Sequence, residues 1–417
     1  MAQQKKKQSG FQLQAIAHAH HKNEFMLKLK YIMNYCCGGN IYSLIPQIFL
    51  EKIYAMRCQS LMVVAAEGHS IPVEVLNYMK RYLSASAKYE TIVLPQGNLK
   101  ITLDDYFTVC QTIFSLFHWI KNDDFPNAEK VRSSARGLVI DNDTTKIVND
   151  KFSGILDALG FWDSKIGSCL YWLKYELKVV TGGKPGLHNI IQVFTHNPDS
   201  IQLKINGKVR PASRLSWAYA STGIEYTTIR PSVLKLKSSI ANRPMKVYVQ
   251  SHALIRLRER IDCVTTSILH LNMYESFKNP KVSYDNNKNL LIEYRIFGTK
   301  AGYFRIDVVK GIVAIRTFLF LTNNGTHESH LLWKNTGLQK LDKKYLALDR
   351  LSNFMSSDIG NNDQIRKIFK DADCQSLLEL YEKINKVCTK RPSQSTSNLM
   401  LEYLGRKSKD AKEVVLA

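Results

Sequence analysis

The sequence predicts an α+β fold: an N-terminal helical bundle, a central antiparallel β-meander domain with helices on one face, and C-terminal helices. Three observations carry this expectation. Apolar residues recur at helical spacing over most of 23–180. Beyond Lys281, turn signals separate β-rich runs at roughly 8–12-residue intervals, the spacing of an antiparallel sheet. Two helical runs precede those strands without alternating with them, which is the order of an α+β domain. The chain has 417 residues, 45% hydrophobic and 23% charged, so it can fill real cores. At about 100–200 residues per domain it divides into two or three. The expected parts are a mobile polar tail over 1–22, a helical domain over 23–180, an α+β domain over 181–335, C-terminal helices over 336–390 and a polar tail over 391–417.

Glu24–Cys37 has helical spacing and stops at Gly38-Gly39. Tyr42–Ala66 reads as a second helix, with Pro46 tolerated in its first turn. Pro72–Ser84 is a third. Leu103–Lys121 is a fourth, N-capped by Thr102 or Asp104. Ile147–Leu159 and Ser164–Lys178 complete the helical part, and its many aromatics read as core. Ser200–Ile205 and Lys208–Arg210 flank Asn206-Gly207, the pair that a type I′ hairpin turn needs. Ile224–Ile229 and Met245–Gln250 are β-rich. Helices over 252–262 and Val264–Phe277 follow. Then come strands Lys281–Tyr284, Asn289–Phe297, Tyr303–Val309 and Ile312–Leu321. Leu341–Met355 and Asp363–Asn385 return to helix.

Several classes of function are excluded by pattern. The eight cysteines are scattered and form no CxxC, which suits a reducing cytoplasm and not a disulfide framework or zinc ribbon. No run of about 18 apolar residues exists, and no apolar stretch follows the basic start, so neither a membrane span nor a signal peptide is expected. Thr181–Gly186 lacks the P-loop pattern. No GxSxG elbow, kinase signature or other cofactor motif appears, and no cofactor is implied. His18, His20 and His21 lack supporting ligands. His327, Glu328 and His330 fall one residue short of a zincin motif, in a segment that reads as loop, so no metal site is expected. Asp104-Asp105 and Asp123-Asp124 read as caps or solvated turns.

What remains is charge. The net charge is +22, which favours polyanion partners. Between Gln202 and Arg260 lie Lys204, Lys208, Arg210, Arg214, Arg230, Lys235, Lys237, Arg243, Lys246, Arg256, Arg258 and Arg260, twelve basic residues against Glu225 and Glu259 alone, a local net of +10. Trp217, Tyr219, Tyr226 and Tyr248 are interleaved, and such aromatics can stack on unpaired bases. RNA or DNA is the expected partner, with a protein partner for the helical half.

The helix after Met245–Gln250 sharpens this. Residues four apart stay on one face, so His252, Arg256 and Arg260 form a stripe while Leu254, Leu257, Ile261, Val264 and Ile268 form the docking face. Ser251 is available as N-cap. A neutral imidazole in the first turn can act as a base, and guanidiniums can hold a phosphate. That kit suits metal-free RNA cleavage by the ribose 2′-hydroxyl. Arg305, Arg316, Thr317, His327 and His330 are the other candidate groups. The competing reading is a solvated helix face.

Residues 247–320 resemble the small barnase–RelE-type ribonuclease toxins. The matching pattern is H-A-x-x-R-x-x-x-R, here His252, Ala253, Arg256 and Arg260, followed by four antiparallel strands. The resemblance covers under a fifth of the chain, and the embedded position departs from those small stand-alone proteins. It implies metal-free RNA cleavage, or a relative that kept the fold and lost the activity. The segment Arg316–Gly325 with the helices after it also resembles uncharacterised bacterial proteins, which implies no function. Three functions stay open: an RNA-cleaving enzyme, a non-catalytic nucleic-acid binder, and a helical scaffold working through protein contacts.

Overall fold

The structure is a computed structural model that describes residues 10–94, 98–139, 142–180, 186–236, 243–355, 359–360, 362–384 and 397–405. It is an α+β protein of two compact units. Unit 1 comprises residues 1–159 and 172–195, and unit 2 residues 160–171 and 196–417.

Unit 1 begins with α1 (Gly10–Cys36), so described residues expected in a polar tail are helical. His21 Nδ1 lies 3.2 Å from Tyr54 Oη, which places that histidine against the neighbouring helix. α2 (Gln47–Ala55), β1 (Gln59–Ala65), α3 (Val73–Tyr89), β2 (Thr91–Leu94) and β3 (Leu99–Thr102) follow. α4 spans 103–119 and widens to a π turn at Tyr106–Cys110. α5 (Ala128–Val139), α6 (Asn142–Asp163), β4 (Leu170–Val180) and β5 (Gly186–His196) complete this stretch. Two expected helices are therefore partly strand: β1 occupies the end of 42–66 and β4 most of 164–178. Three of these strands join in the order β1-β5-β4, with β1 parallel to β5, and β2 pairs with β3 separately. Asn189 on β5, fully buried, donates from Nδ2 to the carbonyls of Gln59 and Phe107, so the polar side chain inside this unit is satisfied.

Unit 2 is built on one mixed sheet. Its strands are β6 (Ser200–Ile205), β7 (Lys208–Arg214), β10 (Thr228–Ile229), β11 (Met245–Gln250), β12 (Val282–Tyr284), β13 (Leu290–Ile296), β14 (Thr299–Val309) and β15 (Ile312–Phe320); β8 (Ser216–Tyr219) and β9 (Gly223–Tyr226) pair apart. The order is β12-β13-β14-β15-β11-β7-β6, with β10 added to β11. The expected meander is β12 to β15. The sheet differs from a purely antiparallel one because β11 runs parallel to β15, which joins the hairpin β6–β7 to the meander. Asn206 and Gly207 have φ of 49° and 76°, both left-handed as a type I′ turn requires.

α7 (Ser251–Arg260) and α8 (Thr266–Lys278) pack on β15 and β13. Leu257, Ile261 and Val264 are buried, as their spacing predicts, in one core with Val247, Val249, Tyr294, Phe304 and Phe318. Asn272 Oδ1 and Ser276 Oγ accept from the backbone N–H groups of Phe297 and Arg295, pinning α8 to β13. Gly302 is required by a close approach, since a Cβ there would lie 2.4 Å from the Leu319 carbonyl oxygen. The chain then forms α9 (His327–Thr336), α10 (Lys340–Tyr345), α11 (Leu351–Phe354), α12 (Asp363–Asp371), α13 (Gln375–Ile384) and α14 over 397–405. The segment expected as loop at His327 is thus a helix, N-capped by Thr326, whose Oγ1 accepts from Ser329 N–H. Among the described residues no helix is long and apolar enough to cross a membrane.

Candidate nucleic-acid interface

α7 leaves β11 without a loop. Its N-cap is Gln250 rather than Ser251, and no side chain caps it. His252 in the first turn is half-buried. Burial lowers its pKa, with Arg256 and then Arg210 adding to the effect and Glu259 opposing it. The imidazole is therefore neutral near pH 7. Arg210 acts on this histidine from β7, some forty positions earlier in the chain.

The stripe of three does not stay together as a site. Arg256 Nη1 pairs with Glu259 at 2.6 Å on its own helix. Arg260 turns to Asp349 and forms an ion pair with it, with side chains 18% and 7% exposed. Asp262 accepts from the backbone N–H and the hydroxyl of Ser352, at 3.0 and 2.9 Å. The C-terminal end of α7 is thus fastened to residues 349–352, and Arg260, expected at a catalytic site, is a fold-holding residue.

The basic stretch sorts by register. Antiparallel partners share a face, so Tyr248 with Arg214, Gln250 with Ala212, Leu203 with Arg210 and Ile205 with Lys208 mark one face of the sheet. Lys246 belongs there by alternation with Tyr248. It is the face opposite Val247 and Val249, which pack under the helices. Lys208, Arg210 and Lys246 are exposed and have no carboxylate partner among the described residues. Lys204 alternates to the other side of the hairpin. Arg230, Lys235 and Arg243 are exposed outside the main strands, and Lys237 lies outside the described residues.

Arg214 departs from the expectation of a surface contact. It is 8% exposed, and its guanidinium lies 5.3 Å from the ring centre of Tyr226 and 5.5 Å from that of Tyr248. Tyr226 is 44% exposed, with its hydroxyl 3.2 Å from His196 Nε2, so a partly exposed aromatic ring is held against a buried cation. Sequence reading missed this clamp, whose only trace was the interleaving of aromatics with basic residues. Three of the other candidate groups have partners. Arg316 pairs with Asp307 at 2.8 Å, Arg305 donates to Asn289 Oδ1 at 2.6 Å, and His330 packs beside Trp333. Glu328, from the near-zincin pattern, is buried and bound by Lys300 and Tyr303 at 2.7 Å each. No cluster that could hold a metal ion occurs among the described residues.

Unit 1 carries a separate cavity of about 370 Å³ whose lining includes His21, Glu24, Lys28, Arg57, Lys88, Asp104 and Asp105. Asp105, expected to cap a helix or face solvent, pairs with Lys28 at 2.8 Å. Burial and then Asp105 raise the pKa of Asp104. Its charges are mixed, unlike the cationic sheet face.

The chain matches no protein-family model, no curated protein and no solved structure.

Proposed function

We propose that unit 2 binds single-stranded nucleic acid on the sheet face that carries Lys208, Arg210 and Lys246. The observation behind this reading is that three exposed cations without carboxylate partners among the described residues share that face with Arg214, whose guanidinium holds the partly exposed ring of Tyr226 on β9. Cations 3–4 Å from phosphate oxygens neutralise the backbone, while an exposed ring offers a stacking surface to a base regardless of its identity. Each phosphate contact on a single strand contributes about −0.7 to the slope of log K against log salt. Replacing Lys208, Arg210 and Lys246 together by alanine should therefore reduce that slope by about 2. Fluorescence anisotropy with a labelled oligonucleotide measures it, and no binding at about 50 mM salt removes the proposal.

Metal-free RNA cleavage is the second reading, favoured by the neutral His252 beside Arg256 and Arg210. Incubation with RNA in EDTA decides it. Cleavage abolished by His252→Ala supports an enzyme of the barnase–RelE type. RNA bound tightly and left intact leaves the binder.

A further inference from the structure

Ser329 and Lys343 meet where α9 and α10 pack. Ser329 lies in the first turn of α9, and Lys343 Nζ is 2.6 Å from its Oγ. The same Nζ is 3.4 Å from the Ser329 carbonyl oxygen and 3.4 Å from Asn324 Oδ1. Both residues are 3% exposed. No carboxylate forms an ion pair with Lys343 among the described residues. Asp342, the nearest acidic neighbour on its own helix, accepts from the Gln339 N–H and the Tyr403 hydroxyl, each at 2.7 Å. Cys374, from the turn before α13, is the other titratable group that faces Lys343. Ser329 lines a cavity of about 480 Å³ with Asn286, Asn324, His330, Trp333 and Gln339, among others. That volume suits a small organic ligand.

We propose that Ser329 and Lys343 are a nucleophile and base that hydrolyse carboxylic esters of small acyl groups held in this cavity. The geometry meets the first requirement of such a pair, a hydrogen bond between nucleophile and base. Burial brings the Lys343 pKa down to about 8, so roughly a tenth of the amine is neutral at pH 7 and able to take a proton. The neutral Nζ removes the proton from Oγ as Oγ bonds to the carbonyl carbon and the π pair moves to the carbonyl oxygen. When the tetrahedral adduct collapses, the C–O bond to the alcohol breaks and the alcohol takes the proton from Lys343. Water then attacks the acyl-serine, giving its proton to Lys343, and the carboxylic acid leaves as Oγ is reprotonated. The positive end of the α9 dipole at the same turn favours the negative charge that develops.

The test is reaction of the full chain with a fluorophosphonate probe, with peptide mapping of the adduct. The expected result is an adduct on Ser329 that Ser329→Ala abolishes. Its rate should rise with pH to a plateau with a midpoint near 8, and fall about 100-fold or more in Lys343→Met. No adduct on Ser329 in folded protein at about pH 9 overturns the proposal, and so does wild-type labelling in a folded Lys343→Met variant. Should that variant not fold, the wild-type pH profile decides: a plateau supports the base, and an unbroken rise with hydroxide overturns it.

Discussion

The two ends of the basic stretch use the same residue types in opposite ways. At the hairpin end, Lys208, Arg210 and Lys246 stand in solvent with no carboxylate beside them among the described residues. At the helix end, Arg260 gives its charge to a carboxylate that is 7% exposed, and Asp262 holds the same segment through Ser352. The sequence presents both ends as one run of positive charge. Tertiary contact separates them, because a cation packed against a buried carboxylate is committed to the fold while an exposed, unpaired one stays available to a partner.

The sharpest way to break this comparison is at Arg260. Arg260→Ala leaves the Asp349 carboxylate buried without its cation and should cost about 3–5 kcal/mol of unfolding free energy in urea denaturation. A loss below about 1 kcal/mol would make the pair an ordinary surface contact, and the two ends would no longer differ.

Acid titration gives the next effect. His270 on α8 is 5% exposed and burial takes its pKa down to about 4, with Arg258 adding to this. Its folded pKa lies below the unfolded value of 6.5, so the unfolded chain binds the proton first. Stability from this group is complete above about pH 6.5 and is lost as pH falls towards 4, about 3 kcal/mol in all. His270→Gln should flatten that part of the stability–pH curve. His252, half-exposed at the other end of the helix pair, should contribute much less to it.

The smallest stability effect belongs to the hairpin. Alanine at Lys208, Arg210 or Lys246 should change unfolding free energy by less than about 0.5 kcal/mol each, while the salt slope of binding falls. A large stability loss there would show that these side chains hold the fold after all.

Much of unit 2 was legible because its signals are local. The left-handed pair Asn206-Gly207, the spacing of Leu257, Ile261 and Val264, and the alternation in β12 to β15 each report on neighbours within a few residues. Unit 1 hid its strands, two of them inside expected helices. Residues 61–65 of β1 are a short apolar run with no alternation, and its pairing partner is β5, more than a hundred positions away. A short apolar run fits a strand and a helix segment equally well at that length. The same limit applied to the site. The charge of Arg210, Arg256 and Arg260 was readable, but the fate of Arg260 depends on Asp349, 89 positions along the chain. Ser329 and Lys343 showed no motif, since two helices bring them together.

The edge position of β6 has a further consequence, for self-association. β6 and the three-residue β12 end the strand order, and an end strand offers unpaired backbone groups to any other extended chain. β12 limits this by being short. β6 has six residues and ends at the hairpin turn, with Lys204 and Lys208 on opposite faces of the ribbon. Those charges keep two copies from pairing edge to edge. Removing Lys208 to weaken nucleic-acid binding would also remove part of that protection, so oligomers should appear first in the variants with the least charge on this hairpin.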